Sequence, residues 1–473
     1  MAGTQMSGEG DGVMQEDPGT RAALSDLCTA FGIVGAQIAL LTPDGPESYT
    51  FGAARSDPHM AMTPTTGIQI GSTSKLYTAI LMMQLVDAGL VDLDRPVATY
   101  LPGVELGIWT DTPAAELITP RMLMSMSSGL DNGRYVDTGD ERDAVEKAVG
   151  LVAMSALTFA PGTFWAYTNA STNVSGLIVE RLTGLPWDRA VQELLLDPAG
   201  LGRTTADPRR QIVGPTAVGH MVTDAGAEVI DHRGLGRGFG PTGSTITSTA
   251  EDLLGLAALF LGDGVAWTGR RILSPEAAGL MQSPQVAVTN ATVADSWGLG
   301  PWIRQWDGRR VLGHPGMVRG GGSQVHWVPE SGSALAIVCN VPAQIHPFSE
   351  AVLDFLLPER LGIRKPRARA PIGTTVDNPA DYAGEYVRDA VRMRVDADGG
   401  RLRVSVSSTH EAGIGAVAKV EEFGLLPLGD DLFRFVTSDG TELGPWDRAF
   451  VRDPAGKVSH LLDPFFAARR TDR

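Results

Sequence analysis

Ser72 and Lys75 stand three residues apart at the head of a nearly unbroken apolar run, Leu76 to Val86. A helix starting at Ser72 carries Lys75 almost one full turn round, so that its amine lies on the same face as the Ser72 hydroxyl. Serine is a poor nucleophile at neutral pH and needs a neighbour to take its proton. A lysine in a dry, crowded pocket has its pKa lowered and can do so. The run supplies that dryness, because a helix that is apolar all round is a buried one, and Gly89 is a natural end for it. By itself the spacing is weak, since most serines three residues before a lysine lie on solvated helices.

Two further triplets carry groups of the right kind. Tyr167-Thr168-Asn169 sits in an expected loop ahead of a helix at Asn173–Leu182. A tyrosine near a lysine can be kept ionised or relay a proton, which suits it to activate Ser72 and then protonate a leaving group. Asn169 offers an amide to orient a polar substrate. His314-Pro315-Gly316 falls where a strand from Arg309 ends or bends. His314 is expected to meet a substrate carboxylate or carbonyl, and the backbone at Gly316 to leave room for a substrate to pair along a strand edge. Proline is tolerated only where no ladder hydrogen bond is needed, which fits an edge facing a cleft.

Other chemistries lack their residues. There is no Gly-x-Ser-x-Gly elbow and no His-Glu-x-x-His pair. The remaining histidines, His59, His220, His232, His326, His346, His410 and His460, have no ligand spacing, so no metal and no cofactor is expected. Gly320-Gly321-Gly322 lacks the following Lys-Ser/Thr of a phosphate cradle and is expected to form a turn beside the cleft.

The 473 residues are enough for two or three domains. The 43% hydrophobic and 20% charged residues place the chain among globular proteins, and no apolar run reaches the roughly 18 residues of a membrane span. With 39 Lys and Arg against 55 Asp and Glu, the net charge of −16 repels nucleic acid and anionic membranes. Cys28 and Cys339 are too few for a disulfide framework. Residues 1–19 show no basic, then apolar, leader pattern, and a cytoplasmic location is expected.

The elements that must position these groups follow in order. A helix spans Arg21–Phe31, and strands Val34–Leu41 and Tyr49–Gly52 flank the turn Pro43-Asp44-Gly45. Helices fill the chain from Leu90 to Phe260, among them Pro120–Met126, Trp187–Leu196 and Thr247–Phe260. Strand period returns at Trp297–Gln305, Arg309–Gly313, Gln324–Val328 and Ser333–Asn340, and a helix closes the unit at Phe348–Leu356. The economical assembly is one antiparallel sheet built from both ends of the segment, flanked by helices, with a large helical insertion: an α/β (α+β) fold. The expected boundaries are a disordered tail at 1–19, a catalytic unit at 20–360, a basic, Pro-rich linker at 361–376, and at 377–473 a small all-β barrel of short strands.

The ordered set Ser72-x-x-Lys75, Tyr167-x-Asn169 and His314-x-Gly316 resembles the serine hydrolases related to class C β-lactamases and penicillin-binding proteins. Similar context lies in Arg121–Leu130, Pro161-Gly162, Pro198–Leu201 and Gly243–Asp252. The resemblance covers about Arg21 to Leu356. It implies acylation of Ser72, proton transfer shared by Lys75 and Tyr167, a substrate held by Asn169, and an oxyanion hole from the backbone N–H groups of Ser72 and Met317. The Lys-Thr-Gly and Ser-Asp-Asn triplets of dedicated β-lactamases are absent, and Met126 stands where relatives often carry histidine. His-x-Gly is the form found in esterases, D-amino-acid amidases and peptidases, and penicillin-binding-protein-type thioesterases that cyclise nonribosomal peptides. Tyr382-Ala-Gly-Glu-Tyr386 and the hairpins beyond it resemble a lipocalin-like barrel. The substrate so implied is a small molecule or a peptidyl ester, thioester or amide, free or presented on a carrier protein, with water or an amine as acceptor.

Overall fold

The computed structural model describes residues 16–132, 136–223, 226–230, 236–388, 391–408, 421–444 and 446–471. Helix α1 (Pro18–Ala30) starts inside the expected tail, because the Asp17 carboxylate accepts from the Thr20 amide at 2.7 Å and proline suits the first turn. Residues 1–15 of that tail lie outside the described residues. Strands β1 (Gly35–Thr42) and β2 (Gly45–Arg55) form the hairpin.

The apolar run becomes α2 (Ser74–Asp87), preceded by a tight 3₁₀ turn at Gly71–Thr73. Every residue from Ser74 to Met83 is buried, as an all-round apolar helix requires. The insertion contributes α3 (Asn169–Thr183) and α4 (Ala250–Leu261). Strands β3 (Trp302–Trp306), β4 (Arg309–Val318), β5 (Gly321–Val328) and β6 (Ser333–Cys339) follow, and α5 (Ile345–Leu356) closes the unit.

Among the described residues the sheet has nine strands, its central order being β3-β4-β5-β6-β1-β2 with two-residue strands at either end. Antiparallel pairing of β6 with β1, Ala36 opposite Cys339, joins the two ends of the segment. Alternation along β6 divides the core. Ala334, Ala336 and Val338 pack toward α2 and α4, whereas Leu335, Ile337 and Cys339 pack with Leu24 of α1 and Phe348 of α5.

Four local expectations are corrected. Helix α3 starts at Asn169 rather than Asn173, because Thr168 is in an extended conformation and its hydroxyl accepts from the Ala170 amide at 3.1 Å. Thr247 and Ser248 are not helical: they pair with Gln69 and Ile68, and Thr249 caps α4. The strand expected at Trp297–Gln305 is interrupted by Gly300, which has φ +113°, and by Pro301. Gly321 and Gly322 belong to β5 instead of a turn, where an added Cβ would stand 2.5 Å from Ile68 and 2.6 Å from Ile345.

The C-terminal strands close a barrel that contains eight among the described residues, the first (Gly384–Arg388) pairing with the last (Phe466–Arg470). The stretch before it is tied to its surface, since the Ile372 amide donates to Pro427 O and the Val376 amide to Gly400 O, both at 2.9 Å. The barrel is also docked. Phe159 and Ala166 share a buried cluster with Leu428, Leu432, Val451 and Leu462, and His460 Nε2 donates to the Thr158 carbonyl at 2.9 Å. Asn290 Nδ2 donates to the carbonyls of Asp447 (2.6 Å) and Pro464 (3.1 Å). Because these amide bonds are buried or partly buried, they fix the direction of the barrel loops that end at the cleft.

Candidate active site

The turn Gly71–Thr73 and the first turn of α2 place Ser72 and Lys75 side by side, with Lys75 Nζ donating to Ser72 Oγ at 3.2 Å. The same amine donates to Asn169 Oδ1 at 2.5 Å and to the Thr242 carbonyl at 2.7 Å. Lys75 is 2% exposed, and burial holds its pKa well below the ordinary lysine value. Burial thus favours the neutral amine, the form able to accept a proton from the hydroxyl it touches.

Tyr167 completes the group from the other side, its ring centroid 4.9 Å from Lys75 Nζ. The Tyr167 amide donates to the Phe465 carbonyl at 2.9 Å, so a barrel residue holds its backbone. Asn169 is oriented at both ends: its Oδ1 accepts from Lys75, and its amide nitrogens donate to Asn132 Oδ1 at 2.9 and 3.1 Å.

Strand β4 approaches Ser72 very closely. An added Cβ on Gly316 would stand 1.8 Å from the Ile70 carbonyl, and one on Gly71 2.4 Å from the Met317 nitrogen, so only glycine fits at either place. Pairing of β3 with β4 ends at Gly313, which leaves residues 314–318 unpaired on that side among the described residues. Pro315 and Met317 share a direction by the period of two, so the Met317 N–H points the way the missing Pro315 N–H would.

His314 is placed differently from expectation. It is fully buried behind the cleft, 5.7 Å from Trp297 and 6.3 Å from Tyr167 between ring centroids. Its Nδ1 donates to the Pro315 carbonyl at 2.6 Å. Burial, then the nearby Lys75 charge, pushes its pKa down to about 3, so the ring is neutral. It backs Tyr167 and does not face solvent. Met126, at φ +59°, packs with Trp165 and Trp297.

A cleft of about 320 Å³ opens over Ser72. Tyr167, Asn169, Gly316 and Met317 line it, and so do residues that the motifs did not indicate: Thr242 and Gly243, Trp297, and from the barrel Trp446, Phe465 and Phe466. Asn132 was also missed; its only signal is two polar residues, Asp131-Asn132, following a buried Ser-Ser-Gly-Leu stretch. A roomier hollow of about 490 Å³ lies between Glu141–Lys147 and Glu180–Pro186, but charged surface residues line it and it holds no nucleophile.

The family model described as Beta-lactamase matches residues 21–351. The chain belongs to the beta-lactamase family. Its members are serine hydrolases. Penicillin-binding protein 4 of Amycolatopsis lactamdurans is 34% identical over 373 residues, covering 77% of this chain and 95% of that one. The crystal structure of SurE matches with a TM-score of 0.80 at 25% identity over 96% of this chain and 98% of SurE, which has also been solved with D-Leu. The octameric penicillin-binding protein homologue from Pyrococcus abyssi shares the fold, with a TM-score of 0.64 at 20% identity over 96% of this chain and all of that one. These two matches run through the barrel as well as the catalytic unit. No helix among the described residues is long and apolar enough to cross a membrane.

Proposed function

We propose that the protein is an acyl hydrolase or acyltransferase that forms an acyl-enzyme on Ser72 from a peptide-type ester, thioester or amide. The contact that carries this reading is the one between Lys75 Nζ and Ser72 Oγ, 3.2 Å long, made by a lysine whose neutral form burial favours. Lys75 takes the Ser72 proton as Oγ bonds to the substrate carbonyl carbon. The backbone N–H groups of Ser72 and Met317 receive the oxyanion. Collapse of the tetrahedral adduct breaks the bond to the leaving group, which takes a proton from Tyr167, and Lys75 restores that proton. Deacylation runs the same route in reverse with water or an amine as the acceptor. Asn169 holds Lys75 and lines the substrate path.

The free edge of β4 at residues 314–318 suits an extended peptidyl acyl group. The likeness to SurE, solved with D-Leu, favours a D-residue next to the scissile carbonyl and, as the sharpest form of the proposal, a thioesterase that releases or cyclises a peptidyl chain. A carboxylesterase or D-amino-acid amidase would use the same groups with water. Intact mass spectrometry after incubation with a fluorophosphonate or an activated peptidyl ester tests the reading. A single adduct that is absent from Ser72→Ala is expected; no adduct, or the same adduct on the variant, would overturn it. The ratio of cyclic to linear product from a peptidyl thioester with a free amine separates cyclase from hydrolase.

A further inference from the structure

The barrel contributes Trp446, Phe465 and Phe466 to the lining of the cleft over Ser72. Tyr167 packs against Phe466 at 5.9 Å and Phe465 at 6.1 Å between ring centroids. Trp446 packs edge-on to Phe465 at 4.7 Å and to His346 at 4.2 Å. Burial lowers the His346 pKa to about 4, so this ring is uncharged at neutral pH. Asn169, Thr242 and Gly243, which also line the cleft, come from outside the barrel. The wall formed by the barrel is thus apolar, aromatic and built around Tyr167.

Its position has a chemical meaning, given the acyl-enzyme reading above, on which this inference rests. If Tyr167 hands its proton to the leaving group, that group must lie beside Tyr167 when its bond breaks. By microscopic reversibility the acceptor enters through the same space and gives its proton to the same oxygen. We propose that Trp446, Phe465 and Phe466 of the barrel form the subsite for the group beyond the scissile bond, and that this subsite selects an acceptor amine borne by a bulky apolar residue. In the step concerned, the amine nitrogen attacks the ester carbonyl of the acylated Ser72 and gives one proton to Tyr167 as Tyr167 passes its own to the neutral Lys75 amine. The bond from the carbonyl carbon to Ser72 Oγ then breaks, and Oγ regains a proton from Lys75, leaving an amide and free enzyme. An aromatic wall holds a hydrophobic side chain well and offers few partners to fix a water, so occupancy by such an amine also displaces hydrolysis.

The barrel is no separate appendage in this arrangement. Phe465 supplies both a ring to the wall and the carbonyl that holds the Tyr167 backbone. The Asn290 bonds to Asp447 and Pro464 fix the two loops at the residues next to Trp446 and Phe465.

The test uses the full-length protein, one activated N-acetyl-D-phenylalanyl thioester as donor, and leucinamide, phenylalaninamide and glycinamide as acceptors, with amide and acid products separated by chromatography. Wild type should give an amide-to-acid ratio about tenfold or more higher with the bulky amines than with glycinamide, the size of effect that filling an apolar pocket provides. In Trp446→Ala/Phe465→Ala that preference should fall at least fivefold, and in the conservative Phe465→Leu by less. Because preference is a ratio between acceptors, a variant that merely folds less well does not change it. Where wild type uses water alone, benzyl against methyl esters of the same acyl group read the same subsite through the leaving group. Acylated Ser72 with equal preference in wild type and double variant, or with a change only in acyl side-chain preference, overturns this inference alone. Failure to acylate Ser72 at all overturns the acyl-enzyme reading and this inference with it.

Discussion

Replacing Lys75 by methionine removes one amine while keeping an unbranched side chain of similar length in a fully packed helix. Three hydrogen bonds are lost, to Ser72 Oγ, Asn169 Oδ1 and the Thr242 carbonyl. Two carbonyl-type oxygens are left without this donor, at roughly 1–3 kcal/mol each. Against that, the variant no longer takes a polar amine out of water, which itself costs free energy. The two effects oppose each other, so the melting temperature should shift by only a few degrees. Activity has no such compensation. Loss of a positioned base lowers acylation by about 10²–10⁴-fold, equivalent to about 3–5 kcal/mol of barrier. A time course of adduct formation by intact mass reads this directly. The wild-type pH profile gives a second measure: the neutral amine is the active form, so the rate should rise with pH through the lowered Lys75 pKa and level off well before the ordinary lysine value of 10.5. Acylation within tenfold of wild type in Lys75→Met, or a rate still climbing at pH 10, would refute the base role.

Other variants probe the surroundings. Tyr167→Phe should lower turnover by about a hundredfold or more; a normal rate in steady-state assays would show that Tyr167 only packs. Gly316→Ala drives a Cβ to within 1.8 Å of the Ile70 carbonyl and must push β4 away from Ser72, so denaturant unfolding should show a loss of about 1–3 kcal/mol together with slower acylation; an unchanged acylation rate would count against the close approach of Met317 to Ser72. His326 is 3% exposed, and burial pushes its pKa down to about 3. Between that value and the usual 6.5 the unfolded chain holds the proton and the folded one does not, so stability is lost as pH falls. Relative to His326→Leu, wild type should lose about 1.4 kcal/mol more per pH unit below 6.5 in urea titrations; parallel curves would contradict this.

Much of the fold was legible because the period of the sequence changes cleanly. The continuous short apolar run Ala334–Cys339 marks a strand buried on two faces, and the unbroken run after Lys75 marks a helix with no solvent side. The motif residues were legible as types, but their roles depended on direction. His314 shares a strand with Gly316, and the side-chain alternation of that strand puts the half-exposed Met317 on one face and turns the His314 ring into the core on the other. The start of α3 at Asn169 was hidden because the apolar spacing begins only at Val174, while the capping role of Thr168 needs no apolar neighbour.

What sequence could not reveal is the far wall of the site. Phe465 and Phe466 read as two apolar residues in a hairpin turn, a place where the chain normally puts polar side chains, and Trp446 as a lone aromatic in a loop. An exposed aromatic turn is unfavourable in an isolated barrel, and that is the clue: such residues must find a partner surface. Here the partner is Tyr167, and the Phe465 carbonyl that receives its amide makes the contact directional rather than merely apolar. A barrel that served only to cover a sheet edge would have no reason to end two loops in aromatic rings around the tyrosine to which the proposed mechanism assigns protonation of the leaving group.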